Sequence, residues 1–283
     1  MSAKGDAGSG AVLVLGASGQ IGRSVLERLA AMGRPAVAIC RRPPSDIAFG
    51  ADWLARDLTR PLDLAAYRPV AAIHATGAWL LPAHLSALRA VGIRRLVCFS
   101  STSMLAKADS YSAVERDIAQ RLAAAEHAVT EGGIPWTVLR PTLIYGLGLD
   151  RNVRTAAGFI RRWRFFPLAG PGQGLRQPVH ADDLAAAAVH LIDDEANLGR
   201  QFNLGGGETL TYRAMIERIF RVLGIPPRFV RLPPLSRIPG RIGSIARRME
   251  QDLAFDQGDF WPRLGLRPRD FLAGGRGDLG LDP

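Results

Sequence analysis

From Ala11 to Gly146 short apolar runs alternate with longer amphipathic stretches. AVLVLGA is followed by GQIGRSVLERLAAMG and PAVAICR; later come AAIHATG, RRLVCFSS, the long SAVERDIAQRLAAAEHAVTEGG and PWTVLRPTLIYG. The runs are apolar throughout, as strands covered on both faces must be, and the amphipathic stretches supply the covering helices. This pattern predicts an α/β fold built on a doubly wound parallel sheet. Gly33 and Gly132-Gly133 stand where the first and the longest helix should stop, because glycine accepts the left-handed backbone that ends a helix.

Beyond Gly146 the pattern loosens into Arg-, Gly- and Pro-rich sequence until HADDLAAAAVHLIDD, which reads as a helix with Asp182 and Asp183 at its positive end. QFNLGGG reads as a last strand and turn. From Thr209 a helix, a proline-rich loop and a second helix are expected. Residues 11–145 with 176–204 are therefore assigned to the sheet domain, and 146–175 with 205–272 to a smaller lobe. Residues 1–10 and 273–283, polar and glycine-rich, are expected to fray.

With 283 residues, 47% of them hydrophobic, the chain can bury a substantial core. No apolar run approaches the roughly 20 residues of a membrane span, and the N-terminus lacks a secretory signal pattern, so a cytoplasmic location is expected. Cys40 and Cys98 sit inside strand-like runs and suit buried thiols; no metal site is expected. The net charge of +10 raises nucleic acid or an anionic membrane surface as partners. Its basic residues concentrate in RNVRTAAGFIRRWRFF and SRIPGRIGSIARRME, which carry no zinc ligands, RNA motif or basic-zipper heptad, so specific nucleic-acid binding is not expected. A solvated basic face and a patch that attracts a phosphorylated ligand both stay open.

GASGQIG, Gly16 to Gly22, follows a predicted strand and opens a predicted helix. Gly16, Gly19 and Gly22 let the backbone turn sharply and approach a pyrophosphate, while Ser18, Gln20 and Ile21 complete a turn whose N–H groups face its charge. A dinucleotide site that takes NAD usually places an acidic side chain about 20 residues on, to bind the ribose 2′-hydroxyl. Here ICRRPP places Arg41 and Arg42 there, which suit a 2′-phosphate, so NADP(H) is expected over NAD(H). Asp57 and Leu58 are placed at the adenine edge. Ala75, Thr76 and Gly77 end the fourth strand at the mouth of the same cleft; His74 is given no role.

Taken in order, these motifs with SST (Ser100 to Thr102), Tyr111, LRPTLIYG, GQGLRQPVHADDLA, FNLGGGETLTYRAM and LGLRPRDFL resemble the extended and atypical short-chain dehydrogenase/reductases, also called the NAD-dependent epimerase/dehydratase family. The resemblance covers most of the chain. It implies a Rossmann-like cofactor domain, Pro141 on the cofactor side, and a smaller lobe that grips a small-molecule substrate, frequently a nucleotide-linked sugar. In such relatives the arginine matching Arg176 contacts a substrate diphosphate; an arginine that ties its loop to Asp182 or Asp183 is the alternative here.

The resemblance also implies a Ser or Thr, a tyrosine and a lysine as the catalytic set. Thr102 and Tyr111 match the first two. Where the lysine belongs stands Glu115, which on a shared helix face would oppose formation of the phenolate. Three readings follow: Tyr111 acts as a neutral acid in reduction, Glu115 takes over the acid/base role, or the protein binds NADPH without catalysis as a sensor or structural subunit. The long helix offers faces through which a second copy could pair as a homodimer.

Overall fold

The computed structural model describes residues 10–44, 49–232 and 241–281, which divide into two units: Met1–Arg140 with Leu184–Phe202, and Pro141–Asp183 with Asn203–Pro283. The first is built on strands β1 (Val12–Leu15), β2 (Ala36–Cys40), β3 (Asp52–Ala55), β4 (Ala71–His74), β5 (Arg95–Phe99), β6 (Trp136–Pro141) and, later in the chain, β11 (Arg200–Leu204). They form one sheet in the order β11-β6-β5-β4-β1-β2-β3. The pairings from β3 across to β6 are parallel. Hydrogen bonds from Gly199 to Trp136 and from Thr142 to Leu204 advance in the same direction, so β11 joins β6 in parallel too.

Every residue of β1, β2, β4 and β5 is buried, which explains why these runs contain no polar alternation. β3, at the edge, is exposed at both ends. Helices α1 (Gln20–Ala31), α2 (Leu85–Ala90), α3 (Ser103–Ala106) and α4 (Ala113–Thr130) connect the strands. α1 buries Ile21, Val25, Leu26 and Leu29, a one-sided helical spacing. Leu122, Ala125 and Val129 of α4 join Leu13, Leu15, Ile39, Leu96 and Cys98 in one core. Each fully buried leucine of this kind contributes about 1.5–3 kcal/mol. The helix-stop glycines behave as expected: Gly33 has φ 64° and Gly133 φ 70°.

The second unit contains β7 (Leu143–Tyr145) parallel to β10 (Pro178–His180), β8 (Phe166–Ala169) parallel to β13 (Phe229–Leu232), and β9 (Leu175–Arg176) antiparallel to β12 (Leu210–Thr211). Its helices are α5 (Val153–Trp163), α7 (Tyr212–Val222), α8 (Arg241–Glu250) and α9 (Phe260–Arg263); α6 (Ala181–Leu191) runs from this unit into the first. Tyr145, Ile160, Ile216, Phe220 and Phe271 centre its core. The proline-rich loop expected after α7 falls largely outside the described residues, as does the N-terminal tail up to residue 9. Among the described residues no helix is long and apolar enough to cross a membrane.

Two boundaries differ from expectation. Residues 141–145 and 176–183 belong to the second unit, where β7 and β10 pair with each other. The stretch 273–281 is not frayed: Asp278 and Leu279 are buried in a short 3₁₀ turn, Gly277–Leu279. Asp278 accepts a hydrogen bond from the Gly274 N–H at 2.9 Å and lies 3.4 Å from His180 Nε2. Burial pushes its carboxyl up, but the bonds from His180 and Gly274 outweigh it, holding the group below the usual carboxylate range.

Candidate functional site

Strand order reverses between β1 and β4, and in a sheet of this kind the crevice beyond the carboxyl ends of those two strands is where ligands bind. The glycine turn fills that position. Gly16 has φ 84°, and a Cβ there would lie 2.7 Å from Thr76 Cβ and 2.9 Å from the Ala75 carbonyl. At Gly22 a Cβ would meet the Gly16 carbonyl at 2.4 Å, so this glycine lets α1 pack onto the turn. Gly19 differs from both. It is exposed, it precedes the first residue of α1, and the nearest atom to an added Cβ is 3.3 Å away.

No side chain caps α1, and its first turn carries no acidic residue, so its N–H groups and positive dipole end are offered to an outside anion. Ser18 and Gln20 are half-buried and Ile21 is buried; Gln20 Oε1 is enclosed without a protein partner. Together with the absent Cβ atoms, these features fit the turn to a dinucleotide pyrophosphate. Ala75, Thr76 and Gly77 follow β4 directly, and Gly77 leaves room for the Trp79 ring, which an added Cβ would meet at 2.6 Å.

Arg41 and Arg42 lie exposed just past the end of β2. Asp57 is exposed as well, and its Oδ1 accepts from the Thr59 N–H and hydroxyl, each at 2.9 Å. Those two bonds, with Arg41 and Arg60 nearby, hold its carboxyl below the usual range. Leu58 is buried beneath, and its carbonyl lies 2.8 Å from His84 Nε2. Pro141 is buried at the end of β6. His74, the last residue of β4, has both ring nitrogens buried without partners; burial, and then His84, push it down to about 3.

The expected catalytic set does not assemble as anticipated. Thr102 is buried and opens α3. Tyr111 is 91% exposed and precedes α4, whose N-cap is Ser112, so Tyr111 and Glu115 do not share a helix face. Glu115 Oε2 instead accepts from the Ser110 hydroxyl at 2.6 Å, and Arg116 Nη1 donates to the Ser110 carbonyl at 2.6 Å. Both contacts secure the start of α4.

A group that sequence reasoning passed over sits at the end of β5. Ser100 Oγ donates to Glu126 Oε1 at 2.5 Å, and Arg140 Nε donates to both Glu126 oxygens at 3.0 Å. Arg140 Nη2 reaches Gln201 Oε1 at 2.5 Å. This network fixes the register of α4. With Glu126 turned to Ser100, the positions one and two turns earlier on that face are Leu122, buried, and Ile118, packed against the same core. The first residue of α4, Ala113, lies about 20 Å from Glu126 along the helix, at 1.5 Å per residue. Tyr111 precedes the helix altogether. The signal in the sequence was the pairing of a glutamate inside an apolar helix stretch with an arginine inside a strand.

Arg176 is buried, with 3% exposure, and its donors are engaged. Nη1 donates to the Leu175 carbonyl at 2.7 Å and the Gln251 carbonyl at 2.8 Å, Nη2 donates to the Arg248 carbonyl, and the guanidinium stacks 5.2 Å from the Tyr212 ring. Burial pushes it down to about 10. Neither expectation for it matches this geometry, since Asp182 and Asp183 pair with Arg269 at 2.7 and 2.9 Å.

A family described as NAD(P)H-binding matches residues 16–195. Among individual proteins, the (4-alkanoyl-5-oxo-2,5-dihydrofuran-3-yl)methyl phosphate reductase of Streptomyces griseus subsp. griseus is 32% identical over 235 residues, 78% of this chain and 77% of that protein. The mitochondrial NADH dehydrogenase (ubiquinone) 1 alpha subcomplex subunit 9 of Arabidopsis thaliana is 35% identical over 117 residues, 41% of this chain but only 29% of the relative's length. In fold, the UDP-glucuronic acid 4-epimerase from Bacillus cereus, solved with UDP-glucuronic acid and NAD, superposes with a TM-score of 0.75 at 17% identity over 96% of this chain and 98% of its own. With the glycine turn seated at the strand-order reversal, the chain belongs to the family described as NAD(P)H-binding.

Proposed function

We propose that the chain is an NADPH-dependent reductase of a small organic substrate that works without a tyrosine–lysine pair. The observation that carries this reading is the register of α4: Glu126 faces Ser100, Leu122 and Ile118 occupy the turns above it, and Tyr111 is exposed outside the helix. The nicotinamide group supplies hydride when bound. Gly16, Gly19, Gly22 and the open end of α1 hold the pyrophosphate, and Arg41 and Arg42 receive the 2′-phosphate that favours NADPH over NADH. Thr102, at the start of α3, is the hydrogen-bond donor assigned to the substrate oxygen, while a proton from solvent completes the reduction.

A conjugated alkene or an activated carbonyl suits this arrangement, because negative charge gathers on an oxygen that needs a hydrogen bond more than a strong acid. The similar Streptomyces griseus reductase is named for a substrate of that kind, an oxo-dihydrofuran bearing an alkanoyl group. A nucleotide-linked sugar is the less supported class, because the arginine expected at its diphosphate is engaged by backbone carbonyls. The test is NADPH oxidation against a panel of enones, aldehydes, ketones and UDP-sugars. Turnover with an enone or carbonyl that persists in Tyr111→Phe and Glu115→Gln supports the reading; loss of turnover in Tyr111→Phe defeats it.

The same missing pair favours a second reading, an NADPH-binding subunit without turnover, and the similar Arabidopsis thaliana protein is named as a subunit of a larger complex. Tight NADPH binding with no oxidation of the cofactor across the panel would select it.

A further inference from the structure

The outward face of α5 carries a run of arginines that the cofactor site does not use. Arg151 just precedes the Asn152 N-cap, Arg154 lies in the first turn, Arg161 and Arg162 in the last, and Arg164 is the C-cap with φ 61°; all are exposed. Val153, Ala157 and Ile160 of the same helix are buried in the unit's own core, and Arg154 and Arg161 flank that stripe. The Phe166 N–H donates to the Arg228 carbonyl at 2.8 Å, which sets exposed Arg228 beside the end of the helix. Trp163 is 53% exposed there, with the Arg162 guanidinium 5.1 Å from its ring.

Among the described residues no ion pair involves Arg151, Arg154, Arg161, Arg162 or Arg164. Asp150 is buried, and its Oδ1 accepts from the N–H groups of Asn152, Val153 and Arg154. On α7, which packs against α5, Glu217 pairs with Arg213 at 2.9 Å, and Glu208 pairs with Arg218 at 2.8 Å. Helix stability does not account for the pattern either. Arg161 and Arg162 complement the negative end of the dipole, but Arg154 stands at the positive end, where a cation is unfavourable.

We propose that the exposed surface of α5, centred on its C-terminal end, binds an anionic lipid surface, with the guanidinium groups on headgroup phosphates and the Trp163 indole at the boundary between headgroups and acyl chains. Charge complementarity argues for an anionic partner, and the exposed indole flanked by arginines argues for lipid, because an interfacial helix end needs a side chain that is apolar on one side and wet on the other. Single-stranded nucleic acid is held in grooves with successive stacking aromatics, which the outer face of one helix does not offer. The inference stands independently of the reductase reading.

Flotation of the full chain with phosphatidylcholine vesicles, with and without about a third phosphatidylglycerol, tests it. Binding is expected only with the anionic lipid and should weaken with added salt. The triple variant Arg154→Glu, Arg161→Glu, Arg162→Glu should lose at least about tenfold in partition, whereas Arg68→Glu, Arg89→Glu, Arg94→Glu, with the same change in net charge, should stay within about twofold of the parent. Brominated lipids should quench tryptophan emission in the parent and lose that quenching in Trp163→Phe. Equal binding to both vesicle types, equal losses in the two triple variants, or quenching that survives Trp163→Phe would each overturn the proposal. So would tighter binding to an oligonucleotide through the same arginines.

Discussion

Ser100 and Glu126 are joined by a 2.5 Å hydrogen bond between the end of β5 and the middle of α4, and Arg140 closes on the same carboxylate from β6. Glu126 is 4% exposed, so these partners replace water as its hydrogen-bond donors. Glu126→Ala leaves Arg140 without its carboxylate and should cost about 3–5 kcal/mol, the usual penalty for breaking a buried pair from one side. The double change Glu126→Leu, Arg140→Met should recover much of that loss. Urea unfolding of the two variants checks both statements; equal destabilisation would show that the pair itself, and not the orphaned charge, carries the energy.

The glycine turn separates folding from binding. Gly22→Val drives a side chain into the Gly16 carbonyl and should lower both the melting temperature and NADPH affinity. Gly19→Val meets far less protein, and should leave the melting temperature within a few degrees while removing NADPH binding. Calorimetric titration beside a thermal melt distinguishes them.

Cofactor preference should follow the arginines after β2. The double change Arg41→Ala, Arg42→Ala should weaken NADPH by about 10–100-fold, the range of one charge-assisted hydrogen bond or a little more, and leave NADH nearly unchanged. A parallel loss for both cofactors would mean that these side chains do not reach the 2′-phosphate.

Acid should destabilise the first unit through His74. Its folded value is depressed from 6.5 to about 3, so between those values the unfolded chain binds a proton that the native state excludes. Stability is therefore present above about pH 6.5 and falls as the pH drops toward 3, by up to about 1.4 kcal/mol per pH unit from this residue. His74→Leu should flatten that part of the stability profile, read by denaturant unfolding between pH 7 and 4.5.

Arg176→Ala should act on stability. It removes the donors that tie the Leu175 and Gln251 carbonyls together, a cost of about 0.5–3 kcal/mol. NADPH affinity should not change. A large loss of ligand affinity at unchanged stability would restore the diphosphate role.

The sheet was legible because its strands are uninterrupted apolar runs, and the glycine turn because its context is local: a strand before it and a helix after it. The start of α4 was legible as well, at SAVERD, but the helix face assumed for Tyr111 was not. The helix begins at Ala113 with Ser112 as its N-cap, which leaves Tyr111 outside it and off any face shared with Glu115. The surroundings of Arg176 were not legible because two of the three carbonyls that engage it, those of Gln251 and Arg248, lie more than 70 positions on, where no spacing rule connects them. Residues 273–281 look like a tail by composition, yet Asp278 is held by His180, a partner distant in sequence.

That last contact sets an order of events during synthesis. The first unit has all of its sequence once Phe202 has emerged, whereas the second cannot bury His180 until Asp278 has been made. At about 5–20 residues per second, the stretch from Asn203 to Asp278 takes several seconds to translate. Throughout that interval β7 and β10 lack the C-terminal residues, Phe271 and Asp278, that contact Tyr145 and His180 in the finished second unit.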